Sequence, residues 1–180
     1  MQLFFDFDGT LADSSPGIYM SFELACSRLG LIAPAYEVFC DSIGPPVQRL
    51  ARQFFPLLTD AQVETFRQAF REDYDNHRFR QCRWYAGVEA TLKTLAEQEH
   101  ARMAIITNKP TRPTLELLKA GEIAELFELV VGIDYPVFQG TGPAFAGKAE
   151  AIKFAHSQLD NSSPGGIYVG DTPEIGRAHV

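Results

Sequence analysis

A chain of 180 residues is near the usual size of one domain, and 46% apolar with 22% charged residues is a globular mixture rather than a disordered or fibrous one. Sixteen basic against 23 acidic residues leave a net charge of −7, which argues against a general nucleic-acid or anionic-membrane binder. It does not exclude a small anionic substrate whose charge a metal ion offsets. No apolar run approaches the roughly 18 to 20 residues that a spanning helix needs. The start, Met1-Gln2-Leu3-Phe4-Phe5-Asp6, lacks the basic region and apolar stretch of a signal peptide. Cys26, Cys40 and Cys82 are odd in number and form no Cys-x-x-Cys, so buried thiols in a reducing, cytoplasmic setting are expected.

In chain order, a first short apolar run, Leu3–Phe5, reads as a buried strand. From about Asp13 to Trp84 no convincing strand appears, only helical signals. Pro45-Pro46 can open a helix with Val47, Leu50, Ala51 and Phe54 on one side. Thr59-Asp60-Ala61-Gln62 reads as a capping box ahead of Val63, Phe66 and Phe70 at helical spacing. Val88, Thr91, Leu92, Leu95 and Ala96 then predict one buried helical face. A second strand at Met103–Ile106 precedes a helix carrying Leu115, Leu117 and Leu118 after Pro113. A third strand at Leu129–Val131, a loop at Gly140–Pro143, a helix from Ala149 to Leu159 and a fourth strand at Ile167–Val169 complete the series. Continuous apolar strands alternating with helices predict an open parallel α/β sheet covered on both faces. The helical segment between strands one and two is an insertion.

The first strand runs into Asp6-Phe7-Asp8-Gly9-Thr10. In such sheets functional groups collect beyond the carboxyl ends of the strands. Alternation along an extended chain sets Asp6 and Asp8 on one side and Phe7 toward the packing, and Gly9 allows a sharp turn. Two neighbouring carboxylates repel unless a cation or proton lies between them, and magnesium is the natural oxygen-liganded cation at a phosphate site. A solvated acidic turn is the plainer alternative. An EF-hand loop is excluded, because its twelfth position from Asp6 is Gly17 rather than Glu.

The Asp-x-Asp-Gly-Thr run resembles the first motif of the haloacid dehalogenase-like hydrolase superfamily. Thr107-Asn108-Lys109, Lys148 within Gly147-Lys148-Ala149-Glu150, and Gly170-Asp171-Thr172 follow at the stations of its second, third and fourth motifs. Taken singly these are weak: a Thr-Asn pair is commonly a turn, and a lone Lys is commonly a solvated helix residue. Their order and spacing make the resemblance specific, and it covers nearly the whole chain. The insertion and Tyr85-Ala86-Gly87-Val88 are similar to the subgroup of phosphoglycolate phosphatases and β-phosphoglucomutases. The resemblance implies a Rossmann-like parallel core over residues 1–12 and 86–180 and a helical cap over residues 13–85.

It also implies a phosphatase. Asp6 would be the nucleophile, and Asp8 the acid and base. Asp6, the Asp8 carbonyl and Asp171 would hold Mg²⁺, and Thr107, Asn108 and Lys148 would bind the phosphoryl oxygens, with Lys148 also restraining Asp6. A dehalogenase is disfavoured, because that branch lacks the counterpart of Asp8. The expected partner is a small phosphorylated metabolite such as phosphoglycolate, with no nucleic acid or membrane, and the protein a monomer or homodimer. Arg49, near Ser42-Ile43-Gly44-Pro45-Pro46, is a candidate for the substrate's anionic end, though an exposed helix-start arginine is as good a reading. Asp134 lines the entrance or is a loop carboxylate, and His77, His100 and His156 read as surface residues. The alternatives are a phosphosugar mutase with the same phospho-aspartate, and a non-catalytic phosphometabolite-binding module or inactive fragment.

The pattern breaks at the end. The fourth motif's second acid falls four residues after Asp171, where Ile175 stands and Glu174 is one short. Relatives continue through a further helix and strand, so strand four is expected to show an exposed edge. Ile175-Gly176-Arg177-Ala178-His179-Val180 is also the translation of a common sequencing adapter, which makes read-through the expectation for this tail.

Overall fold

A computed structural model describes residues 1–159 and 166–171. The chain divides into two units, Met1–Asp13 with the segment from Trp84 onward, and Ser14–Arg83. The tail from Thr172, with Glu174 and Ile175, lies outside the described residues.

The first unit is built on a parallel sheet of β1 (Gln2–Phe5), β4 (Arg102–Thr107), β5 (Leu129–Gly132) and β6 (Gly166–Val169) in the order β5-β4-β1-β6. The four predicted strands are therefore all present, each within a residue or so of its apolar run. Every residue of β1 is buried, as are Met103–Thr107 of β4. The two-residue alternation sends Phe4, Ala104, Ile106 and Val131 to one face, where Ala151, Ile152, Ala155 and Leu159 from α8 (Lys148–Gln158) complete a core. Gln2 shares that face and is 1% exposed, yet satisfied: its amide donates to the Leu159 carbonyl at 2.9 Å, and His156 Nδ1 lies 2.6 Å from its Oε1. His156 is thus half-buried and engaged, not the surface residue expected.

Two expectations about burial are revised. Among the described residues β6 is an edge of the sheet with Ile167 and Val169 exposed, which is the exposed edge expected of strand four but departs from a sheet covered on both faces. The apolar stripe on α5 (Val88–Ala96) buries only Leu92, while Val88 and Leu95 are half-buried and Thr91 and Ala96 exposed. This helix packs against a 3₁₀ turn at Ala124–Leu126, a narrow support that leaves most of the stripe facing out. The unit also holds α6 (Thr111–Ala120) and the short α7 (Tyr135–Phe138), which the sequence did not announce.

The second unit is helical: α1 (Ser15–Arg28), α2 (Tyr36–Cys40), α3 (Val47–Phe54) and α4 (Asp60–Asn76). Thr59 caps α4 with its side chain while Gln62 reaches back to the Thr59 amide at 3.0 Å, the reciprocal box expected from the sequence. Val63, Phe66 and Phe70 are all buried. Phe22 is the hub of the aromatic core, with ring centroids 4.6 Å from Phe39 and 4.8 Å from Phe66. Two short strands, β2 (Ala12–Asp13) and β3 (Arg83–Trp84), stand where the chain passes between the units.

Candidate active site

The site is assembled at the carboxyl ends of β1, β4 and β6 and the start of α8. The Asp6 amide donates to the Val169 carbonyl at 2.9 Å, extending the β1–β6 ladder one step beyond its Phe5↔Val169 pair. The next turn is tight, because the amides of Thr10, Leu11 and Ala12 all point at the Phe7 carbonyl, at 3.3, 2.9 and 3.2 Å. Phe7 is fully buried and its ring meets Trp84 edge-on at 5.4 Å. The alternation is as expected: Phe7 anchors the turn, and the aspartates on either side are left for chemistry.

Asp6 is only 5% exposed. Its Oδ1 accepts the Phe7 amide at 2.8 Å, and its Oδ2 accepts a short hydrogen bond from Lys148 Nζ. Burial pushes the Asp6 carboxyl above the ordinary carboxylate range, although the Lys148 ammonium and the Phe7 amide both pull the other way. Lys148 is the first residue of α8 and is itself buried, its ammonium 5.8 Å from the Tyr168 ring. Glu150 accepts from the Ala146 amide at 2.7 Å, which pins the turn that presents the lysine.

Asp8 faces a different cation. Lys109 Nζ donates to Asp8 Oδ1 at 2.8 Å, and the lysine side chain is 1% exposed against 24% for the aspartate. Lys109 carries no signal of its own in the sequence, where it is one polar residue of Thr107-Asn108-Lys109, yet in the loop after β4 it is buried. Thr107 is buried, and its Oγ1 accepts the Lys109 amide at 3.2 Å, so its hydroxyl proton can still be donated elsewhere. Since Phe5 pairs with Ile105, Thr107 stands one step beyond the residue level with Asp6. Asn108 is half-buried beside it.

This loop is wedged against β5. A Cβ on Gly132 would lie 2.4 Å from the Thr111 nitrogen and 2.6 Å from the Lys109 carbonyl oxygen, a closeness that only glycine permits. Asp134 lies in the turn between β5 and α7, where its Oδ1 accepts the Thr111 amide at 2.7 Å and the Thr111 hydroxyl at 2.8 Å, serving the first turn of α6.

Asp171 comes in from the end of β6. Gly9 has φ +77°, and a Cβ there would lie 2.0 Å from Asp171 Oδ2, so the carboxylate occupies space that a side chain at position 9 would need. The groups expected at a cation offer oxygen alone: the Asp6 and Asp171 carboxylates and the Asp8 carbonyl. The Asp8 carboxylate is turned to Lys109, and among the described residues no group of three or more His, Cys, Asp or Glu side chains is arranged around one metal. Two carboxylates with a carbonyl and water fit Mg²⁺, which retains waters and takes few protein ligands. Of the predicted site residues, the first unit holds Asp6, Asp8, Thr107, Asn108, Lys148 and Asp171. Arg49 is an exposed residue of α3 in the second unit.

The family model described as haloacid dehalogenase-like hydrolase matches residues 3–175. A phosphoglycolate phosphatase from Mannheimia succiniciproducens is 33% identical over 136 residues, covering 71% of this chain and 60% of that protein. The tyrosine-protein kinase PtkA of Mycobacterium bovis is 27% identical over 167 residues, or 93% of this chain and 54% of the kinase. The chain thus spans about 60% of the length of the phosphatases it matches. Among solved structures, a haloacid dehalogenase-like hydrolase from Streptococcus pneumoniae superposes with a TM-score of 0.81 at 26% identity, covering 96% of this chain and 76% of that one. One from Bacteroides fragilis gives 0.84 at 24% identity, with coverage of 98% and 81%, and bears on the fold alone. With the ordered motifs gathered on one parallel sheet, these matches establish that the chain belongs to the haloacid dehalogenase-like hydrolase family.

Proposed function

We propose that the protein is a magnesium-dependent phosphatase that hydrolyses a small phosphomonoester through an aspartyl-phosphate. The observation that carries this reading is the pair of acids at the tip of β1, each set against its own buried lysine: Asp6 with Lys148, Asp8 with Lys109. A lone buried carboxylate would serve binding; two with separate cationic partners are equipped for different tasks.

In the first step an Asp6 oxygen attacks phosphorus, the ester P–O bond breaks, and the departing alkoxide takes a proton from Asp8. In the second step the Asp8 carboxylate removes a proton from water, whose oxygen attacks the same phosphorus. The Asp6–phosphate bond then breaks, leaving inorganic phosphate, the Asp6 carboxylate and Asp8 once more carrying its proton. Ester and water become alcohol and phosphate. Thr107, Asn108 and Lys148 bind the phosphoryl oxygens. Bound at Asp6, Asp171 and the Asp8 carbonyl, Mg²⁺ would supply neutralising charge for the transferring group. The helical unit acts as the cap, with Arg49 its candidate for the substrate's anionic end. The substrate class is phosphoglycolate-like, as the names of the phosphatase relatives suggest, and the setting cytoplasmic.

The deciding experiment is a phosphate-release screen over small phosphoesters, with magnesium or chelator, on the wild type and Asp6→Asn. Release should require magnesium and fall at least about 1,000-fold in Asp6→Asn, as expected for loss of a nucleophile. Undiminished release from Asp6→Asn would refute the assignment, and isomerisation of a sugar phosphate without release would replace the hydrolase with a mutase.

A further inference from the structure

We propose that Lys109 is a positioning residue for Asp8, present to orient the proton-transferring carboxylate and not to stabilise the fold. The proposal deepens the phosphatase reading and rests on it.

The pair is costly to bury. The Lys109 side chain is 1% exposed while the Asp8 side chain is 24% exposed. The ammonium has surrendered its water; the carboxylate has kept part of its own. A buried cation is repaid for its desolvation only when the pairing is complete, and a partner that remains partly wet repays less. A methionine in the same slot would carry no such penalty. As a device for stability the pair is therefore poor.

As a device for orientation it is well made. The Lys109 amide is held by Thr107 Oγ1 at 3.2 Å, and its carbonyl oxygen lies 2.6 Å from where a Gly132 Cβ would stand. The backbone is thus fixed on both sides of its Cα. The side chain passes under the β1 turn, where its ammonium lies 5.4 Å from the centroid of the fully buried Phe7 ring and 2.8 Å from Asp8 Oδ1. Phe7 is the residue between the two aspartates, so the surface steering the ammonium belongs to the same rigid turn as the carboxylate it holds. With Lys148 drawing Asp6 and Lys109 drawing Asp8, the two acids are kept to separate duties.

The test compares wild type, Lys109→Met and Asp6→Asn of the whole chain, with magnesium, on an alkyl phosphomonoester and on p-nitrophenyl phosphate. Single-turnover transfer to Asp6, KM and urea denaturation are measured. Nitrophenolate departs without needing a proton, whereas an alkoxide needs the one on Asp8. Lys109→Met should slow transfer from the alkyl ester by about 10- to 100-fold and from the aryl ester by less than about threefold, with KM little changed. Its urea midpoint should equal or exceed that of the wild type. Equal slowing of both esters, slowing of neither, or a variant that unfolds or loses stability would each overturn the proposal. A wild type without turnover, or an Asp6→Asn chain that matches it, would instead bring down the phosphatase reading and this one with it.

Discussion

Gly9 shows how one missing methyl group shapes the site. Its φ of +77° already disfavours other residues, and the Asp171 carboxylate sits where a Cβ would project. Gly9→Ala should therefore displace Asp171 and raise the magnesium concentration needed for half-maximal activity by about tenfold or more, since it strikes the carboxylate proposed to hold the magnesium. Asp6 makes a separate prediction about pH. Its folded value is raised, chiefly by burial, so its contribution is fully present below the unfolded carboxylate value and is lost as pH rises through the folded one. In chelator, the urea midpoint of the wild type should decline over that window, Asp6→Asn should lack the decline, and added magnesium should oppose it in the wild type alone. The Cys26 thiol is pushed up to about 12, mainly by burial, which keeps it out of its reactive thiolate form at mildly alkaline pH. In the native protein a disulfide reagent should label Cys40 and Cys82, both half-buried, and spare Cys26. The acids and Lys148 stood out in the sequence because they follow one another in the order of the family's motifs, the acids after strands and the lysine at the start of a helix. Lys109 could not, because a lysine's burial depends on what the distant Phe7 turn and Gly132 build around it.

Elements differ in how openly the sequence declares them. β1, β4 and β5 were visible because burial on both sides demands unbroken apolar runs, β6 through an apolar run that lies at an exposed edge, and the α4 capping box because Thr59 and Gln62 act within four residues. The α5 stripe misled for the converse reason: periodicity gives the apolar face, not the extent of the surface offered to it. Nor was the role of Asp134 legible, since it reaches from beyond β5 to the first turn of α6. Removing it should be felt at both levels. Asp134→Ala leaves the Thr111 amide without its acceptor and should cost about 1 kcal/mol, measured by urea denaturation. Because α6 follows directly on the loop bearing Thr107 and Asn108, KM for the phosphoester should rise as well. Gly132→Ala should be harsher, about 1–3 kcal/mol, because the atoms its Cβ would strike are backbone.

At the scale of the molecule, two units draw on different cores: a sheet faced by α8 in one, and an aromatic cluster about Phe22 in the other. Phe22→Ala should cost about 3–5 kcal/mol, and calorimetry or tryptophan-independent probes of helix content should show the loss in the helical unit. The way that unit is threaded into the chain has a further consequence. Leu11 and Tyr85 meet through a 3.1 Å backbone hydrogen bond in the first unit, and within the second, Ser14 and Cys82, 68 residues apart, approach to 3.5 Å. Closing a gap of that length in an unstructured chain forfeits about 4 kcal/mol of entropy, against about 1.5 for a five-residue bridge. A helical unit that gathers its own ends first does that work before the sheet forms. The splice therefore predicts an order of assembly, helices early and β1 against β4 late, so a substitution that delays the helices, such as Phe22→Ala, should slow refolding of the sheet.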